Sequence, residues 1–392
     1  MKQIITLILI LSFSFCQAQN EAVKKANMLI EQRKYESAIK ILNKADPNNE
    51  KPEIVIAKTD LFLNYFVTSI MHQLFAVKDL ETDEELMEVR GSNGNFAMFT
   101  FKADSLLKGL IKKYPDNYNL HKTLGYYYHE VHLKYRDRWL EQDSVVIDKF
   151  HNYYKTAYKN DVYDYWSLYG LGYAELNDKN YKKAIQYFEK SINLKGDYPT
   201  SHYNLAYSYL YNNEREKAIE SAKRALDLYE YPQYKADAAR MIGAIYRELD
   251  ENKKALEFYT KSDKIQPNSY YTLRPLLETE MIVGTETYKK RTRQFFLLDP
   301  DNPTIYQDLM RIYWNNDKQM ELIDFLKYQF DDFRDNDKVF GNLHFFIAKI
   351  QYDSDNNEKA KSNFEKSKEI FKNVYDSNHR IFKIIESYTK EM

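Results

Sequence analysis

Residues 171–194 carry two apolar patterns, Leu171-Gly172-Tyr173-Ala174-Glu175-Leu176 and then Tyr181-Lys182-Lys183-Ala184-Ile185-Gln186-Tyr187-Phe188-Glu189-Lys190-Ser191-Ile192-Asn193-Leu194. In the second, Tyr181, Ala184, Ile185, Phe188 and Ile192 fall at steps of 3 and 4, which is one stripe on a helix. The pattern returns 34 residues on as Leu205-Ala206, Arg215-Glu216-Lys217-Ala218-Ile219, Ala222, Ala225 and Leu228. A third copy, 37 residues further, holds Ile242-Gly243, Tyr246, Lys253-Lys254-Ala255-Leu256, Tyr259, Ser262, Ile265 and Pro267. Its three extra residues fall near Tyr231-Pro232, between copies. A pair of striped helices cannot bury its apolar face alone, so neighbouring pairs must stack. The fold class read from this is all-α: an α-solenoid of stacked antiparallel helix pairs.

Weaker copies extend outward. Lys34-Tyr35-Glu36-Ser37-Ala38-Ile39 matches the middle of the pattern, Pro115-Asp116-Asn117 closes a unit, and Leu124-Gly125 with Tyr128 makes a first-helix half. Tyr306, Leu309 and Tyr313, then Ala360, Phe364, Ser367 and Ile370, suggest two more units. The stretch 268–300 is degenerate but ends at Asp299-Pro300-Asp301-Asn302-Pro303, a typical boundary. The segment Ile381 to Tyr388 is amphipathic, with Lys383, Glu386 and Lys390 outward, and suits a polar C-terminal cap. Small residues where paired helices touch, aromatics between them and a closing Pro resemble the tetratricopeptide repeat (TPR) family, which implies a TPR superhelix of exported bacterial type. The organisation expected is a signal peptide at 1–18, degenerate repeats with insertions at 19–160, three clear repeats at 161–267, and degenerate repeats with a capping helix at 268–392.

Two insertions interrupt the array. Residues 129–148 read as a lengthened first helix and a lengthened loop. In 79–95 the carboxylates Asp79, Glu81, Asp83, Glu84, Glu85 and Glu88 read as a solvated helix face before a Gly-Ser-Asn turn.

Composition narrows the function. Only 10 Gly and 9 Pro stand among 392 residues, too few for the turns of a sandwich or barrel, and no Gly-rich phosphate loop is present. Lys and Arg number 57 against 58 Asp and Glu, so no whole-protein field favours nucleic acid. Lys2, the apolar run Ile4 to Phe15 and Cys16-Gln17-Ala18 predict a secretory signal cut before Gln19. Twelve apolar residues are too short to span a bilayer, which needs about 20. Lipidation of Cys16 is the weaker rival, because Phe15 is bulky where a small residue is wanted. The expectation is a soluble exported protein of the periplasm or cell envelope. Its mature chain would lack cysteine, because Cys16 is the single one.

His129-Glu130-Val131-His132 is the one string with a catalytic look, but its histidines are three apart where a zinc helix needs H-E-x-x-H. Asp353-Ser354-Asp355-Asn356-Asn357-Glu358 starts like a calcium loop, yet lacks the Gly at position six and has Phe364 at the place of the closing Glu. A polar turn between two helices explains it better. Neither a metal nor a cofactor is expected.

The resemblance implies that positions two, five, nine and twelve of each first helix line a concave face. Registered on the Leu-Gly pairs, these are Trp166, Tyr169, Tyr173 and Leu176, then Thr200, Tyr203, Tyr207 and Leu210, then Asp237, Arg240, Ala244 and Arg247. Asp237 and Arg240 should pair, leaving Arg247 the freer cation. The family's carboxylate clamp is not reproduced: Tyr169, Tyr173, Asn204, Asp237 and Met241 stand at its positions, and Asn204 alone matches. The candidate partner-binding set is therefore Trp166, Tyr169, Tyr173, Tyr203, Asn204, Tyr207, Arg240 and Arg247. Exposed Tyr suits extended peptides or sugar rings. The leading reading is a non-catalytic scaffold for another protein or an extended peptide. An envelope saccharide-binding protein is the alternative, and a metallohydrolase using His129, Glu130 and His132 a third.

Overall fold

The computed structural model describes residues 21–92, 94 and 96–392. The signal-peptide reading of 1–18 therefore lies outside the described residues. The chain divides into two compact units, the first ending at Glu214 and the second spanning Arg215–Met392. The division falls in the turn between the two halves of the second clear sequence copy.

The first unit is built of antiparallel helix pairs. Helix α1 (residues 21–31) shares a core with α2 (Tyr35–Ala45) through Ala26, and α3 (Pro52–Tyr65) pairs with α5 (Ala103–Lys113). Then α6 (Tyr118–Tyr135) pairs with α7 (Asp143–Tyr158), and α8 (Tyr165–Asn177) with α9 (Tyr181–Leu194), on which α10 (Pro199–Tyr211) packs. As expected, the 129–148 insertion is a long first helix, α6, followed by a single 3-10 turn at Arg136–Arg138 and a loop.

Between α3 and α5 the structure departs from the sequence reading. Strands β1 (Thr68–Ile70), β2 (Leu74–Ala76) and β3 (Met98–Thr100) form a small antiparallel sheet, order β1-β2-β3. Phe75 of β2 stacks on Phe62 of α3 at 4.9 Å, which ties the sheet to the helical core. The acidic run does not form a helix face. Only α4 (Leu86–Val89) is helical there, and the carboxylates take separate partners. Asp79 accepts from the Ser37 backbone N–H at 3.0 Å and its hydroxyl at 2.6 Å. Glu84 meets Lys78 at 2.6 Å, and Glu85 meets Arg33 at 3.3 Å. Bonds made to residues far away in sequence hold the segment in an irregular path, which no local pattern encodes.

The second unit continues with α11 (Arg215–Leu228), α12 (Pro232–Glu248) and α13 (Asn252–Ile265). It proceeds through α14 (Tyr270–Val283), α15 (Thr287–Phe296), α16 (Pro303–Trp314), α17 (Gln319–Tyr328) and the short α18 (Phe330–Phe333). It closes with the pair α19 (Asp337–Asp353) and α20 (Asn357–Phe371), then α21 (Arg380–Glu391). Helix α21 buries Phe382 and Ile385 and shows Lys383 and Lys390 to solvent, as a cap should. Asp355 takes the left-handed conformation (φ 59°) in the turn from α19 to α20, so the Asp353–Glu358 segment is a helix-to-helix turn. Asp250 and Asp317 sit the same way in their own turns, two residues before the next helix. Asp tolerates that region because its short polar side chain bonds locally. Among the described residues, no helix is long and apolar enough to cross a membrane.

Two contacts recur in the clear and degenerate pairs. A Gly on the first helix faces an aromatic ring from the second: Gly125 and Tyr154, Gly172 and Phe188, Gly243 and Tyr259, Gly341 and Phe371. A Cβ on Gly172 would stand 2.7 Å from the Phe188 ring. A buried Ser on the second helix also donates to a first-helix carbonyl 26 residues earlier. Ser191 reaches Tyr165 at 2.8 Å, Ser262 reaches Ala236 at 2.9 Å, and Ser367 reaches Gly341 at 2.9 Å.

Gly172→Ala should lower stability by about 1–3 kcal/mol, because the buried Phe188 ring has nowhere to go. Gly109→Ala, on the exposed face of α5 with nothing near its would-be Cβ, should raise stability by about 0.5–1 kcal/mol through helix propensity. Chemical denaturation of both variants checks the pair, and equal shifts would contradict the close-approach account.

Candidate functional site

Three first helices of unit one, α3, α6 and α8, turn one face toward a common cavity of about 680 Å³. Helix α3 supplies Glu53, Ile56, Asp60 and Asn64, and α6 supplies Asn119, Lys122, Tyr126 and Glu130. Both sets step by 3, 4 and 4, so each is a single stripe along its helix. Helix α8 adds Tyr165 and Trp166, and Asp164 stands just before it. Asp164 caps α8: its carboxylate accepts from the Ser167 N–H at 2.8 Å, and the Ser167 hydroxyl receives the Asp164 N–H at 2.9 Å. The other Asp164 oxygen takes Lys122 at 2.7 Å. Capping α8 and fixing Lys122 are thus one act. Across the cavity the Tyr126 hydroxyl donates to Asn64 Oδ1 at 2.8 Å.

The remaining charges on the wall are acidic. The Asp60 and Glu130 carboxylates make no hydrogen bond or ion pair among the described residues. Burial pushes Glu130 up to about 7, against the pull of Arg90 and Lys134. Asp60 keeps contact with water inside the cleft. The protein bulk around it still raises its carboxyl to about 6, against Lys122 and with the help of Asp164. Arg90 and Lys134 do not line the cavity; they lie over the Phe66 ring at 4.3 and 4.0 Å. The Trp166 indole N–H is buried and has no acceptor among the described residues.

Behind the wall lies an aromatic stack. His129 is sandwiched, its ring centroid 4.9 Å from Trp166 and 4.7 Å from Phe150, and burial drives its imidazole down to about 3. His132 is buried too and meets Asp143 at 2.7 Å. Both histidines of the His129–His132 string are thus engaged in packing and pairing. Among the described residues no group of three His, Cys, Asp or Glu is placed to hold a metal ion.

The sequence-derived set is distributed unevenly. Trp166 lines the cavity and stacks on Tyr169 at 5.4 Å. Tyr169 is only 5% exposed, and its hydroxyl accepts from Asn204 at 3.1 Å. It packs within the fold, where an open groove position had been expected. Tyr173 is half-buried against His132 at 5.1 Å, and Tyr203 is half-buried. Tyr207 is exposed and bonded to Tyr211 at 3.2 Å. In the second unit Arg240 pairs with Asp237 at 2.9 Å, as expected from their spacing, and lies 5.5 Å over Tyr271. Arg247 donates to Asn252, so it too is engaged.

Sequence reasoning missed Asp60, Asn64, Asn119, Lys122 and Tyr126, and it marked Glu130 only as part of the histidine string. A signal was present. Carrying the Leu171-Gly172 register back onto Leu124-Gly125 converts Trp166, Tyr169 and Tyr173 into Asn119, Lys122 and Tyr126. All three line the cavity.

Tetratricopeptide repeat profiles match residues 167–198 and 203–270, so such repeats are present there. The chain is similar to the Photosystem I assembly protein Ycf3 of Rippkaea orientalis, 25% identical over 183 residues, covering 45% of this chain and 86% of that protein. It is similar in structure to a tetratricopeptide repeat protein from Parabacteroides merdae, with a TM-score of 0.41, 17% identity, and 72% of this chain and 97% of that one covered. The Pseudomonas aeruginosa pilF structure gives a TM-score of 0.44 and 13% identity, over 66% of this chain and 96% of that one.

The raised Glu130 carboxyl carries a pH signature. The folded chain holds that proton more tightly than the unfolded chain, whose Glu titrates near 4.5. The stability it contributes is full below that value and lost as pH rises through about 7. Glu130→Gln, which keeps the neutral shape, should be stabilised relative to wild type by about 2 kcal/mol at pH 8 and by little at pH 5. Parallel melts at the two pH values check this. A difference independent of pH would mean that Glu130 is not desolvated.

Proposed function

We propose that this chain is a non-catalytic interaction scaffold, exported to the periplasm or cell envelope, that holds a protein partner or extended peptide against the α3–α6–α8 face. The observation that carries the reading is the 680 Å³ cavity lined by the same stripe on α3 and α6 and by the first turn of α8, with Tyr126 and Trp166 on its wall. Stacked helix pairs repeat such a stripe in register, which suits a ligand with its own repeat, an extended polypeptide. Aromatic side chains in a cavity are the usual anchors of binding energy. Peptide-binding and assembly roles of tetratricopeptide repeat proteins support the same reading.

The test is affinity capture from envelope extract with three variants. Asn119→Trp fills the cavity from an exposed position and removes no packing, so it should abolish capture and leave the melting temperature near wild type. Trp166→Ala should cost about 2 kcal/mol or more of binding. Tyr169→Ala should instead lower folding stability, by about 3 kcal/mol as a buried aromatic. Undiminished capture by Asn119→Trp would place the partner elsewhere. Export is checked separately: N-terminal sequencing of the secreted chain should begin at Gln19, and a lipid-modified Cys16 would refute the soluble form.

A further inference from the structure

The α3–α6–α8 cavity has a charge pattern that the scaffold reading does not by itself explain. Four carboxylates line it, from Glu53, Asp60, Glu130 and Asp164, against the single cation Lys122. Lys122 is already committed to Asp164 at 2.7 Å. An adjoining hollow of about 500 Å³ shares Glu53, Ile56, Asp60 and Asn64 and adds Glu31. The acidic surface therefore runs on from α6 across α3 to α1. Three of the cavity carboxylates, Glu53, Asp60 and Glu130, make no side-chain hydrogen bond or ion pair among the described residues, and Glu130 is the least exposed of the three. Tyr126, Tyr165 and Trp166 stand on the same wall.

We propose that this cavity receives a cationic side chain, lysine or arginine, of an extended partner segment, with Asp60 and Glu130 as its charge partners and the Tyr126 and Trp166 rings as its aromatic wall. The inference rests on the scaffold reading and specifies its ligand. Carboxylate and aromatic groups together are what a desolvated ammonium or guanidinium needs: opposite charge at hydrogen-bond range, and ring faces that attract a cation. Neutral or acidic occupants find the opposite. A peptide carboxylate would meet unpaired carboxylates of its own sign, and a neutral group would bring them no counter-charge.

The cations that face the two carboxyls do not neutralise them. Asp60 senses Lys122 and Asp164, and Glu130 senses Arg90 and Lys134. Those neighbours do not hold either carboxyl in its ordinary range: the two stand at about 6 and about 7. A bound cation would supply the charge and bring both down.

The experiment is titration calorimetry of the full chain at pH 7.5 and low salt. The probes are a blocked octapeptide bearing two arginines, its counterpart with citrulline at both places, and a neutral oligosaccharide. The arginine peptide should bind, weaken with added salt, and exceed the citrulline peptide at least tenfold. Asp60→Asn with Glu130→Gln should weaken it at least tenfold. Glu358→Gln with Glu365→Gln, which removes the same charge from the exposed face of α20, should not. Failure of the arginine peptide to bind, equal binding of the citrulline peptide, preference for the oligosaccharide, or equal losses in both double variants would each overturn the inference. Partner capture separates the two levels of the reading. If Asn119→Trp abolishes capture while the Asp60→Asn, Glu130→Gln chain captures normally, the scaffold stands and the cation site falls. If neither change affects capture, both fall.

Discussion

The close approach of paired helices over an aromatic ring is the constraint on which the rest depends. Gly125, Gly172, Gly243 and Gly341 each meet a ring from the second helix of the pair. Tyr154 is the fullest case, since would-be Cβ atoms on Gly125 of α6 and Gly170 of α8 both stand 2.6 Å from its ring. One side chain therefore sets the spacing of two successive first helices. The buried Ser bonds fix rotation as well as distance, since each hydroxyl must reach one particular carbonyl. Shape complementarity and a hydrogen bond together leave each pair one arrangement.

The cavity of the first unit is a consequence of that spacing. With Tyr154 wedged between α6 and α8, it lines the cavity together with Tyr126, Glu130 and Trp166. The His129 ring, held between Trp166 and Phe150, backs that wall and stays neutral because nothing near it favours the charged form. A histidine beside a glutamate suggests acid–base chemistry in the sequence. In the fold His129 packs behind the wall while Glu130 lines the cavity, and a helix separates adjacent residues by direction.

Asp60 and Glu130 lie on different helices, 70 residues apart. Each titrates above its ordinary range because neighbouring protein displaces part of its water, Glu130 half-buried and Asp60 still open to the cleft. Lys122 could have neutralised one of them, but it is committed to the α8 cap through Asp164. The acidity of the cavity is therefore tied to the same contact that starts α8.

The sequence alone determined the helix pairs, their stacking and much of their boundaries, because a stripe at steps of 3 and 4 with small residues at the crossing has one economical way to be buried. It also determined the pairing of Asp237 with Arg240, which is local to one helix turn, and the polar turn at Asp353–Glu358. Tertiary structure decided what rests on distant partners. The sheet of β1, β2 and β3 hides in a segment whose strands are three residues each, too short for a period-two pattern to stand out. Tyr173 and Tyr207 hold equivalent register positions, yet one is half-buried and the other 38% exposed. What differs is the surroundings, His132 and Tyr169 beside Tyr173 and solvent with Tyr211 beside Tyr207, and no register contains that. The cavity likewise joins Asp60, Tyr126 and Trp166, residues that become neighbours only when three helices are set side by side.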